Sequence, residues 1–171
     1  WYQADAENLV AGGRLRWYAR DFGDNVFYGS LGADLAHRLD GEDQLLLGGD
    51  SGLRGYPLRY QAGDRRVLFT VEQRFFSDRE VFHLIHPGAA IFFDAGRAWF
   101  VDAAVNKLEQ FFQDAQNANG KVLRDVGVGL RLGSSRSARG AVVHLDVAFP
   151  LDRAGANIKS VQWLVSTRDT F

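Results

Sequence analysis

The residue that most invites a chemical role is Arg54. It lies in Gly48–Asp64, GGDSGLRGYPLRYQAGD, a long connection rich in Gly and carrying Pro57. Such a composition implies a tightly folded loop, because Gly supplies positive φ at bends. Within it, Leu53-Arg54-Gly55-Tyr56 sets one guanidinium beside Gly and an aromatic. A guanidinium suits a fixed, bidentate bond to a carboxylate. The candidate acceptors are Glu72 in TVEQRFF and Asp94 in IFFDAG. Side chains alternate along strands, and both acids fall on the polar side of theirs. A carboxylate on a barrel's inner wall needs a cation, and a loop carrying Arg54 can supply it. The plain alternative is a salt bridge that only stabilises the interior.

Other chemistries find less support. Gly49-Asp50-Ser51-Gly52 reads like the nucleophile site of a trypsin-like protease. Ser/His/Asp catalysis also needs a positioned base and an oxyanion hole. Here Leu53-Arg54 follows instead of Gly-Pro, and His37 lies too near Ser51 in sequence for a two-barrel protease. His37, His83, His86 and His144 show no metal-ligand spacing, and the chain has no Cys. No metal or cofactor site and no enzymatic activity are expected. A net charge of -1 gives no nucleic-acid footprint.

The elements that must position Arg54 are strands. Gly is abundant (19 of 171 residues) and aromatics reach 13%. No run of about 18 apolar residues exists for a transmembrane helix, but barrel strands average to neutral and escape that test. Period-two alternation predicts about eight strands, near 9–20, 26–37, 44–48, 66–76, 89–98, 124–133, 141–149 and 161–171. In the sixth, Val126, Val128, Leu130 and Leu132 face one way, and Asp125, Gly127, Gly129 and Arg131 the other. Most have the length of about 9–11 residues that crosses a bilayer at a tilt, beyond the usual 5–6. Arg14, Arg16, Arg20, Arg74 and Arg131 share the polar side. They either make a cationic lumen or pair with wall carboxylates such as Asp34 and Asp146. Asp102 to Ala118 has helical spacing inside a long loop. A soluble β-sandwich also alternates and is the competing fold.

The order of these elements resembles the C-terminal half of the barrel in the bacterial surface antigen superfamily. That family includes BamA-type and TamA-type assembly proteins and two-partner-secretion transporters. Leu53-Arg54-Gly55-Tyr56 resembles its loop tip, with Leu for the usual Val. Phe92-Phe93-Asp94-Ala95-Gly96 resembles its Phe-x-Asp-x-Gly strand, with Glu72 on the strand between. A Gly-rich strand, Asp125 to Arg131, then Phe149-Pro150-Leu151 and a terminal Phe171 complete the series.

The resemblance implies an all-β fold: an antiparallel transmembrane β-barrel segment of about eight strands, half of a larger barrel. It spans residues 1–171, with a long inward-folding loop and one short loop helix. Arg54 would pin that loop to Asp94 and Glu72. Phe171 would end the C-terminal signal read by the assembly machinery, and Val161, Trp163 and Val165 would face lipid on the closing strand. The implied location is the outer membrane of a Gram-negative bacterium. The implied work is insertion or translocation of polypeptides, with outer-membrane lipid, unfolded polypeptide and the barrel assembly machinery as partners. A passive anchor or pore attached to an upstream, lipase-like domain is the alternative, as is an eight-stranded barrel closing on itself. Because the chain starts Trp1-Tyr2-Gln3 and has no Met, it is expected to be a piece of a longer product.

Overall fold

In a computed structural model the residues described are 8–20, 23, 25–37, 44–77, 79–81, 84–101, 120–134, 142–152 and 158–168. The alternating stretches form β1 (Leu9–Arg20), β2 (Val26–His37), β5 (Arg65–Phe76), β6 (Ile85–Trp99), β7 (Leu123–Ser134), β8 (Val142–Pro150) and β9 (Gln162–Arg168). They make one seven-stranded sheet, ordered β1-β2-β5-β6-β7-β8-β9, in which every neighbour is antiparallel. β1 and β9 are its edges, and among the described residues they do not pair with each other.

The expected strand at 44–48 is not part of this sheet. It forms β3 (Leu45–Leu47), which pairs with β4 (Gln61–Gly63) in a separate two-stranded ribbon. β4 has the sequence Gln-Ala-Gly, without the β-branched or aromatic residues that mark strands, so pattern alone does not reveal it. Among the described residues the main sheet therefore has seven strands rather than eight, and the ribbon belongs to the loop between β2 and β5. The helical candidate at 102–118 and Phe171 lie outside the described residues.

The two faces of the sheet are inverted relative to a water-soluble core. In β7 the side bearing Asp125, Gly127, Gly129 and Arg131 is buried, while Val128 and Leu130 are exposed. β8 repeats this, with His144 and Asp146 buried and Val143 and Phe149 exposed. Leu31, Leu35, Val67, Ile91, Trp163 and Val165 continue the exposed apolar side across the other strands. What covers the polar side is the loop between β2 and β5. Its 3-10 turn (Gly49–Ser51) reaches β9 at the far edge, so the sheet curls around the loop.

Candidate functional site

Glycine shapes the loop that carries Arg54. Gly48 (φ 129°) and Gly52 (φ 133°) flank the 3-10 turn in a backbone region that side chains disfavour. The ribbon then returns the chain, anchored by Gln61. Its amide Nε2 donates to the Lys121 carbonyl (2.8 Å), and its Oε1 accepts from the Ala98 N–H (3.0 Å). Leu47, Leu53, Tyr56, Ala98 and Leu123 form a small apolar cluster beside it. Leu53 is thus the packing residue that seats the tip, and Arg54 continues past it into the charged wall.

The guanidinium of Arg54 is buried and fully engaged. Its Nε donates to Asp94 Oδ2 (2.8 Å) and its Nη2 to Asp94 Oδ1 (3.1 Å), a bidentate fork. Nη1 donates to Glu72 Oε2 (3.0 Å) and to Asp146 Oδ2 (3.3 Å). Its carbon lies 3.3 Å from the centroid of the Phe92 ring, in cation–π range. Burial opposes the charge. The carboxylates of Asp94, Glu72 and Asp146 outweigh it and hold the Arg54 pKa above its ordinary value.

Two further arginines complete the network. Arg131 donates to Asp146 Oδ1 (2.5 Å) and to Glu72 Oε1 (3.0 Å), and Arg74 Nε donates to Glu72 Oε1 (3.0 Å). Glu72, Asp94 and Asp146 are each within reach of at least one guanidinium, and all are nearly fully buried. Such a network is favourable only when its charges are mutually satisfied.

The Gly-rich strand exists to make room for these contacts. A Cβ on Gly127 would stand 2.3 Å from Phe92 Cζ and 2.4 Å from the Val147 carbonyl oxygen. One on Gly129 would meet Asp146 Oδ1 at 2.0 Å. At the loop tip a Cβ on Gly55 would meet Asp125 Cβ at 2.5 Å, and the bare Gly55 N–H instead donates to Asp125 Oδ2 (3.0 Å). Gly96 leaves space for Leu47, whose Cδ2 would otherwise be 3.1 Å from a new Cβ.

Tyr56 fastens the tip to the far side. Its hydroxyl lies 2.9 Å from the Arg124 carbonyl and 3.0 Å from the Asp152 carbonyl, and accepts from the Asp152 N–H (3.2 Å). Burial pushes its pKa up to about 12, so it remains a donor. A bidentate bond from Arg124 (3.0 and 2.7 Å) holds the Asp152 carboxylate below its usual range.

The structure thus brings Leu53, Arg54, Gly55, Tyr56, Glu72, Phe92, Asp94 and Gly96 into one region. Trp163 and Val165 lie elsewhere, exposed on the outward side of β9, with Val161 just before that strand. The sequence offered Arg74 and Arg131 either as a cationic lining or as partners of wall carboxylates such as Asp146, and Arg131 does pair with Asp146, but nothing in it joined them to Arg54. The available signal was their shared polar face; the missing information was the register from β5 to β8. Ser51 Oγ donates to its neighbour Asp50 (3.2 Å), a contact containing no imidazole. No protein-family model, curated protein or solved structure matches the chain.

Proposed function

We propose that this chain is a section of a transmembrane β-barrel in the outer membrane of a Gram-negative bacterium, with the Arg54 loop folded into its lumen. The observation that carries this reading is the inversion of the faces. Arg131, Asp94, Asp125 and Asp146 are buried, while Trp163 (78% exposed) and Val165 (69%) stand on the open side. Water penalises that arrangement, and lipid on the apolar side with a loop on the polar side stabilises it. The shorter joins β1 to β2, β5 to β6 and β7 to β8 leave the sheet at one end, and the longer joins β2 to β5, β6 to β7 and β8 to β9 at the other. Short turns on the periplasmic side and long loops outside are the habit of such barrels.

The work we assign follows the surface antigen resemblance: assisting insertion or translocation of polypeptides, with no covalent chemistry. Its support is the Leu-Arg-Gly-Tyr tip held on the inner wall by Asp94 and Glu72. Two measurements separate the location from the work. In single-Trp variants reconstituted with brominated lipids, Trp163 should be strongly quenched. A chain that stays in the aqueous phase without detergent and shows no quenching is a soluble β-sandwich. Proteoliposomes holding the chain should speed the folding of a second outer-membrane polypeptide, and Arg54→Ala should abolish the gain. Strong quenching without any acceleration leaves the passive anchor or pore.

A further inference from the structure

We propose that Arg65, Arg97 and Arg124, on the outward face of β5, β6 and β7, form a binding site for the phosphate-bearing headgroup of an outer-leaflet lipid. The proposal rests on the membrane-spanning reading, which sets this side of the sheet against lipid. Each arginine is in step with an outward apolar residue of its own strand: Arg65 with Val67, Arg97 with Ile91, and Arg124 with Val128. Val67 stands directly across from Arg97, so Arg65 is the diagonal neighbour of Arg97 on β5. Ala95 stands across from Arg124, so Arg124 is its diagonal neighbour on β7. Diagonal neighbours lie about 7–8 Å apart, which makes a slanting row of guanidiniums across three adjacent strands in the middle of the sheet.

The row marks a boundary. One step toward the centre of the sheet the outward residues are Val67, Ala95 and Val126, all apolar, and Phe69, Phe93 and Val128 follow. The arginines lie at the end of the longer joins, read above as the outer one. At the opposite end the outward positions Phe27, Phe75, Pro87, Leu132 and Val143 carry no charge. Arginines that only lift their heads into water suit either margin of a membrane. Here they gather at one.

Donors remain for a ligand. Among the described residues no ion pair engages Arg97, whose guanidinium carbon lies 4.7 Å from the centroid of the Trp99 ring. Arg124 commits Nε and Nη2 to Asp152, leaving Nη1. Arg65 commits Nη1 to the Ala36 and Asp64 carbonyls, leaving Nε and Nη2, and that Nη1 lies 3.9 Å from the Asp64 carboxylate. Asp64 and Asp152 thus offset only part of the row's charge. A phosphate monoester carries about -1.5 to -2 and three acceptor oxygens, enough to bridge neighbouring guanidiniums, while its acyl chains lie on the apolar residues next to them.

Native mass spectrometry of the detergent-released chain tests the site, with lipid A as the probe in bisphosphorylated and dephosphorylated forms. The phosphorylated form should be retained about tenfold over the other, and the margin should shrink in salt. Arg97 holds no backbone group, so Arg97→Gln should keep the fold and lose most of the preference. Arg97→Lys, which keeps the charge without the planar fork, should fall between. Equal retention of the two lipids overturns the proposal, as does a preference that survives Arg97→Gln. Displacement of the lipid by an equal concentration of inorganic phosphate also overturns it, since that marks a free-anion site. Trp163 in brominated lipid separates the two readings. Strong quenching without phosphate selection removes this site alone, whereas no quenching removes the membrane reading itself.

Discussion

On β5 and β7, Arg74 and Arg131 are buried and share the Glu72 carboxylate, whereas along β1 Arg14, Arg16 and Arg20 stand exposed opposite Gly32, Ser30 and Val26. Both groups lie on the same side of one sheet. The difference is what covers them: the folded loop brings Arg54, Leu53 and Tyr56 over the centre, and no such cover meets β1 among the described residues. A charged wall is tolerable where an inserted element closes its network.

The sharpest way to break the comparison is to open the closed side. Arg54→Ala should cost about 3–5 kcal/mol, because it leaves Asp94 without its bidentate partner in a buried site. Urea unfolding in detergent measures this, and Arg54→Ala with Asp94→Asn should recover part of the loss. An Arg54→Ala chain as stable as the parent would mean that the wall holds together without the loop's cation.

Gly127→Ala tests whether packing room matters as much as charge. Its Cβ would crowd both a ring and a backbone oxygen, so a loss of about 1–3 kcal/mol is expected in the same titration. Tyr56→Phe keeps the ring in the apolar cluster and deletes only the hydroxyl contacts. A loss near 1 kcal/mol is expected, and an unchanged midpoint would show that water replaces those contacts. At the open edge the smallest effect is anticipated. Arg14→Ser with Arg16→Ser should stay within about 0.5 kcal/mol of the parent, as exposed substitutions do. A large loss there would mean that β1 is already covered, and the contrast would disappear.

Much of the sheet is legible in the sequence. β1 and β2 follow the alternation at both ends, because Leu15, Trp17 and Ala19 alternate with Arg14, Arg16, Tyr18 and Arg20, and Phe27, Leu31 and Leu35 with Tyr28, Ser30 and Asp34. The positions of Glu72 and Asp94 on one side are legible for the same reason. The ribbon is not: Leu45–Leu47 reads as a strand, yet its partner Gln-Ala-Gly has no pattern, so its placement outside the main sheet depends on tertiary contacts. The pairing of Arg131 with Asp146 is among the alternatives that the shared polar side offers, but its selection, and the bond from Arg54 to the same acid, are hidden. Both depend on Gly129 standing opposite Asp146, a register that periodicity leaves undetermined. The faces needed a further step, since alternation is the same whether the polar side is wet or buried.

Arg54 and Asp146 are 92 residues apart in sequence, and the same guanidinium also needs Asp94 on β6 and Glu72 on β5. Its bonds can form together only after β5, β6, β7 and β8 have found their register, since a slip of one residue turns each acid to the opposite face. Contacts this distant form late, once loop closure has been achieved by other means. The Arg54 lock is therefore a test of completed assembly more than a guide to it. Losing it should leave the rate of folding nearly unchanged while unfolding quickens, which stopped-flow traces on Arg54→Ala can separate.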